Sequence, residues 1–204
     1  MEPSPTDAYH HGDLGRALLE AALELVAERG PAGFTLREVA RRVGVSHAAP
    51  YRHFAHRDAL LQAVAEEGFS AMRDAMVQAC ECHETPQSRF QALGIAYVRF
   101  AVDHPSHFRV MFGPHSTKDD NASLARVRDQ TFGLLLEAVV ACQQAGVVRP
   151  GATHEIAIAA WSVVHGLAFL LIDRPSRRIP PEVAAEELAR LVTTTLMEGM
   201  RRRD

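Results

Sequence analysis

The sequence predicts an all-α protein, and three observations carry that expectation. Leucine and alanine dominate a chain that is 47% hydrophobic but only 6% aromatic. Apolar residues recur at helical spacing, and the glycines and prolines fall between those periods instead of punctuating short alternating strands. The longest apolar stretch, Ile156 to Ile172, is shorter than the ~20 residues that span a bilayer and carries Ser162, His165 and Gly166, so it reads as a buried helix and implies no membrane.

Nine helices follow in order. Leu14, Leu18, Ala22 and Leu25 set the first, about 14–29, which Gly30 caps and Pro31 stops. Thr35 and Glu38 form a capping box that opens a short helix, 36–43, and Gly44 makes the next turn. Ser46 is the expected N-cap of a second short helix, 47–53, with Pro50 near its first turn. After a break at 54–58, Leu60, Leu61, Val64, Phe69, Met72 and Met76 mark a long helix to about Cys80. Thr85-Pro86 starts a helix to about Asp103, and His104-Pro105 begins a short one ending near Phe112. A polar loop, 113–121, leads to a long helix at 122–145 closed by Gly146. Thr153 caps the apolar helix to Ile172, and Pro181 starts a final helix to Met200 after a basic loop at 174–181. The expected organisation is a disordered lead-in, 1–11; a head, 12–72, whose helix-turn-helix occupies 35–54; and a body, 73–204.

Composition excludes several classes of function. The apolar content is too high for a disordered chain, and three cysteines are too few for a disulfide scaffold. Sparse cysteines and an N-terminus, MEPSPTDAYHH, without an apolar run point to a reducing cytoplasm. No phosphate loop, nucleophile elbow or His-Glu-x-x-His occurs, so an enzyme has little support. Cys80, Cys82 and His83 lack a second ligand pair, so neither metal nor cofactor is expected. Charge is more specific. From Phe34 to Arg57 stand five basic residues, Arg37, Arg41, Arg42, Arg52 and Arg57, against Glu38 alone. That window is +4, and the rest of a chain totalling −3 therefore carries −7. The basic segment marks a candidate contact with nucleic acid.

Several residues together carry a resemblance: Glu28-Arg29-Gly30, Phe34-Thr35-Leu36-Arg37-Glu38-Val39-Ala40, Val43-Gly44-Val45-Ser46, Tyr51-Arg52-His53-Phe54 and Arg57-Asp58-Ala59-Leu60-Leu61. The stretch 12–68 resembles the DNA-binding domain of TetR-type transcriptional regulators. Trp161, His165 and Gly166 resemble the Trp/His-Gly signature of one subgroup of their effector domains. Pro50 stands where a larger apolar residue usually precedes the tyrosine, which raises the question of a reshaped recognition helix. Arg57 stands where lysine is usual and keeps the charge.

The resemblance implies a homodimeric, ligand-responsive repressor of double-stranded operator DNA. On this reading His47 hydrogen-bonds a base edge, and the methyls of Ala48 and Ala49 pack on thymine. Thr35, Arg37, Tyr51, Arg52, His53 and Arg57 serve phosphates, and the helix starts at Thr35, Ser46 and Arg57 favour anions. Simple roles stand beside these: Ser46 as a cap, Tyr51 as packing, and Arg41 and Arg42 as solvated surface. Trp161 and His165, four apart, share a helix face and either line an effector cavity or fill the core. Some of Tyr97, Phe100, His104, Phe108 and Met111 are expected on the other walls of an apolar pocket, with core packing the simpler role for most of them. The last two long helices would pair with their symmetry mates, the last one through Ala184, Leu188, Leu191, Thr195 and Gly199. The alternatives are a DNA-binding regulator controlled by a protein partner without a small-molecule effector, and a helical enzyme or carrier with a vestigial head.

Overall fold

The computed structural model describes residues 11–114, 121–173 and 184–201. Among them are eight α-helices and one short 3-10 helix, with no strand beyond an isolated antiparallel bridge between Val148 and Arg201. The helices are α1 (His11–Arg29), α2 (Leu36–Val43), α3 (Arg57–Glu81), α4 (Pro86–Asp103), α5 (Pro105–Met111), α6 (Ala122–Gln144), α7 (Thr153–Asp173) and α8 (Ala185–Met200). Most of the expected lead-in, the centre of the 113–121 loop and the 174–181 loop lie outside the described residues.

The chain divides into two units. One holds the chain to Glu67 together with Ser106–Leu124, and the other holds Gly68–Pro105 with Ala125 onward. The first is built on α1, α2, the 3-10 helix Ala49–Arg52 and the first turns of α3. Its core is Leu18, Leu25, Phe34, Val39, Leu60 and Leu61, all at most 3% exposed. Gly30 (φ 75°) and Gly44 (φ 79°) take the left-handed conformation that ends α1 and α2, which only glycine adopts without strain. The capping box of α2 forms as the sequence requires: the Glu38 amide donates to Thr35 Oγ1 at 3.3 Å, and the Thr35 amide donates to Glu38 Oε2 at 2.9 Å.

The second unit is a helical layer in which α4 packs on both α7 and α8, which also pack on each other. Phe90, Val139, Cys142, Val148, Ala157 and Met197 form its core. Helix α7 has 21 residues and a mean hydropathy of 1.9 in its most apolar window, enough by length and composition to cross a membrane. The apolar stretch Ile156 to Ile172 lies within this helix, and Thr153, His154, Glu155 and Asp173 lengthen the helix beyond its apolar part. Ile156, Ala157, Ala160, Val164 and Leu167 are buried on one side of it, while Ile158, Val163 and Leu170 are exposed on the other.

Three local expectations are corrected. Segment 47–53 is not an α-helix capped by Ser46. It is the 3-10 helix Ala49–Arg52, whose N-cap, Ala48, makes no side-chain bond. Pro50 is the cause: it has no amide to pair with the Ser46 carbonyl, which accepts instead from the Ala49 amide at 3.0 Å. Thr153 does not cap α7: it is the first residue of the helix, the Ala152 carbonyl accepts from the Ile156 amide at 3.2 Å, and the Thr153 hydroxyl donates to Gln143 Oε1 at 2.8 Å. Helix α8 starts at Ala185, not Pro181, because Ala184 is extended (φ −65°, ψ 138°).

Candidate nucleic-acid interface

The head separates its cations into two groups. Arg42 is bidentate on Glu28 of α1, at 2.7 and 2.9 Å, and also reaches Glu24 at 3.3 Å. Arg29 donates to Glu38 at 2.8 Å, with Arg41 3.9 Å from the same carboxylate. These contacts hold Glu28 below the ordinary carboxylate range, chiefly through the Arg42 hydrogen bond, and raise Arg42 above its own. The arginine excess of 34–57 is thus partly neutralised by acids that α1 brings from outside that window. These pairs fix α1 against α2.

The second group is exposed. Arg37, His47, Tyr51 and Arg52 have no side-chain partner among the described residues, and Tyr51 is 53% exposed. Ser46, Ala48 and His53 are exposed and Ala49 half-buried, so the expected base-contacting segment faces outward even without an α-helix. His53 packs its ring against Phe54, with centroids 6.3 Å apart, and stands over Gly15 of α1, where a Cβ would lie 3.5 Å from its Nδ1. Two expected phosphate ligands are engaged elsewhere. The Thr35 hydroxyl donates to Glu38 at 3.0 Å. The Arg57 guanidinium donates to the carbonyls of Ala32 at 3.1 Å and Phe34 at 3.5 Å. Sequence reasoning missed His56, whose Nδ1 accepts from the Ala59 amide at 3.0 Å and so caps α3; histidine is not a residue that capping rules single out.

This outward segment lies within residues 18–64, which match the model described as bacterial regulatory proteins of the tetR family. Residues 90–196, more than half of the chain, match the model for the tetracyclin repressor-like C-terminal domain. The chain belongs to the TetR family. The chain is also similar to curated proteins. It is 35% identical over 78 residues to the HTH-type transcriptional regulator BetI of Rhizobium meliloti (strain 1021), covering 38% of each chain. To the HTH-type transcriptional repressor Rv3405c of Mycobacterium tuberculosis (strain ATCC 25618 / H37Rv) it is 44% identical over 52 residues, 26% of this chain and 28% of that one. The chain thus spans well under half the length of these curated relatives. Among solved structures, a protein of unknown function from Rhodococcus sp. RHA1 is 34% identical over 96% of this chain and 100% of its own, with a TM-score of 0.81. The TetR family regulator PfmR of Thermus thermophilus shares the fold: TM-score 0.72 and 22% identity over 91% of this chain and 99% of that one.

In this TetR-family chain the residues expected to form one pocket fall into three places. Tyr97, 6% exposed, brings its hydroxyl to 2.6 Å from His165 Nδ1 and accepts from the Trp161 indole N–H at 3.2 Å. Phe169 packs edge-on to His165 at 4.9 Å, and Phe132 of α6 packs edge-on to Trp161 at 6.1 Å. Phe169 was legible four residues beyond His165; Phe132, on another helix, was not. Burial pushes the Tyr97 phenol well above its ordinary range and lowers His165 below 6.5, so both groups are neutral at pH 7. Phe100 and His104, rings 4.7 Å apart, instead line a cleft of about 660 Å³ between α3, α4 and α8. The two arginines of that cleft are paired within their own helices, Arg99 with Asp103 at 3.6 Å and Arg190 with Glu186 at 2.9 Å, so its rim is charge-balanced. Phe108 and Met111 belong to the first unit, where both are fully buried.

Proposed function

We propose that this protein is a cytoplasmic transcriptional repressor that binds a near-palindromic operator as a homodimer and is released by a small apolar effector. The observation that carries the reading is the exposed, unpartnered set Arg37, His47, Tyr51 and Arg52, in a head matched by the family's N-terminal model. Guanidinium and phenol donors suit phosphate oxygens, and His47 between small residues suits a base edge in the major groove. Dimerisation is supported by the apolar side chains that α7 and α8 leave exposed. Effector binding is supported by the Trp/His-Gly resemblance and by the pairing of Trp161 and His165 with Tyr97, a group of hydrogen-bonding side chains among apolar neighbours.

A duplex enriched from a randomised library by the protein itself tests the DNA-binding part. Binding should weaken steeply with salt, Arg52→Ala should weaken it on all sequences, and His47→Ala should change which sequences are preferred. Affinity that is flat across salt would remove the electrostatic basis of the reading. The second reading is control by a protein partner with no small-molecule effector, in which the hydrogen bonds among Tyr97, Trp161 and His165 are core packing alone. Native mass spectrometry of the purified protein separates the two. A retained small molecule that releases the duplex and perturbs the fluorescence of Trp161, the single tryptophan, supports the effector. An inducer whose effect survives both Trp161→Leu and His165→Ala would move its site elsewhere.

A further inference from the structure

Arg57 opens α3, a helix start that the sequence marks for a phosphate, and its own contacts point the other way. Its Nη1 donates to the carbonyls of Ala32 and Phe34, and its Nη2 donates to Asp58 Oδ1 at 3.4 Å. Three of the five guanidinium N–H groups are thereby used, and the adjacent carboxylate offsets the charge. The side chain is 28% exposed, less than half the 72% of Arg41 on α2. The two carbonyls belong to the turn between α1 and α2, which Gly33 folds so tightly that a Cβ there would clash with the Arg29 carbonyl oxygen. That turn ends at buried Phe34, next to the capping-box residue Thr35 and three residues before exposed Arg37.

We propose that Arg57 is a positioning residue, not a phosphate ligand: it straps the start of α3 to the turn at 32–34 and thereby holds the N-terminus of α2, with Arg37, in place for DNA. A lysine would carry the same charge but present it from one tetrahedral point, without the planar fork that meets two carbonyls and a carboxylate together. The inference rests on the DNA-binding reading, and its consequence is specific. Loss of a phosphate ligand lowers both affinity and the number of counterions released. Loss of a strap shifts Arg37 from its best position without removing its charge from the interface, so affinity falls and the counterion count is kept.

The test measures affinity for the selected duplex across a salt series, at temperatures where circular dichroism shows each protein fully folded, for wild type, Arg57→Gln and Arg57→Lys. Both variants should bind about tenfold more weakly at every salt concentration. Their plots of log affinity against log salt should run parallel to that of the wild type. A slope smaller by about 0.9 in Arg57→Gln, or near-complete rescue by Arg57→Lys, is the signature of a phosphate contact and overturns the proposal. So does unchanged affinity in both variants. A second arm needs no DNA. The Gly33 amide bonded to Gly30 and the Thr35 amide bonded to Glu38 should exchange with solvent faster in both variants, and unchanged exchange rejects the strap. If Arg57→Gln does not fold, nitrogen-15 resonances of the wild-type guanidinium decide: N–H protons protected before duplex is added support the strap, and protection acquired only with DNA rejects it. A wild type that binds no duplex at any salt would sink the DNA-binding reading while the exchange arm still judges the strap.

Discussion

Glu38 accepts from the Thr35 amide, the Thr35 hydroxyl and the Arg29 guanidinium, all within 3.0 Å, so one side chain caps α2 and ties it to α1. The Thr35 hydroxyl, then its amide, then Arg29 hold the Glu38 carboxyl below the ordinary 4.5. A depressed folded-state pKa means that this stabilisation is present above pH 4.5 and is lost as pH falls through the lower folded value. Thr35→Ala should cost about 1 kcal/mol by denaturant unfolding at neutral pH. It should also shrink the acid-sensitive part of the stability profile below pH 4.5, and an unchanged profile would show that the box does not hold the carboxylate. His165 works with the opposite charge type. Burial lowers its folded-state pKa below 6.5, so the unfolded chain binds the proton more readily and stability falls as pH drops below that value. His165→Asn, whose side-chain amide can donate to or accept from Tyr97, should make the loss of stability below pH 6.5 shallower. Superimposable wild-type and variant profiles would contradict the assignment.

Between elements, α4 and α8 of the second unit approach closely at Gly94. A Cβ on Gly94 would meet Thr193 Cγ2 at 2.6 Å, and Thr193 cannot swing aside easily, because it is β-branched, buried and bonded to the Ala189 carbonyl at 2.8 Å. Alanine normally stabilises a helix interior relative to glycine, so the sign of its effect here is diagnostic. Gly94→Ala should destabilise by about 1–3 kcal/mol through overpacking. Thr193→Ser, which removes the offending methyl, should recover much of that loss in the double mutant. Additive losses would mean that the two positions do not meet. The same kind of local accounting explains the recognition segment. One missing amide, at Pro50, replaces an α-helical bond with a 3-10 bond and shortens the helix that residue periodicity alone would extend.

For the whole molecule, the proposal of a two-fold dimer rests on a surface that α7 and α8 leave uncovered. Leu191 is 61% exposed, Leu170 is 47% exposed, and a Cβ on Gly166 or Gly199 would meet nothing within 4 Å. Of the seam expected on the last helix, Leu191, Thr195 and Gly199 are not buried and Leu188 is only half-buried, as a face awaiting a partner requires. Leu191→Glu should yield monomers by light scattering with the helical content intact. It should also weaken binding to a palindromic duplex by about a hundredfold or more, because the second half-site is no longer tethered to the first. A wild type that is monomeric at micromolar concentration would overturn the dimer.

Most helix positions, the capping box of α2 and the outward-facing segment around Tyr51 and Arg52 follow from the sequence by itself, because spacing, caps and glycine turns act over a few residues. The aromatic and charged partnerships do not. Segment 34–57 reads as a net basic window, yet Arg42 is claimed by Glu24 and Glu28, and Arg57 by the Ala32 and Phe34 carbonyls. One expected pocket of Tyr97, Phe100, His104, Phe108, Met111, Trp161 and His165 becomes a hydrogen-bonded trio, two residues lining a cleft and two core residues of the other unit. Periodicity states which face of a helix is apolar, but not which helix meets that face or which acid an arginine reaches. Those choices depend on how α1 meets α2 and how α4 meets α7 and α8, and only the tertiary structure decides them, because burial and hydrogen bonding between distant segments outweigh what any one segment prefers.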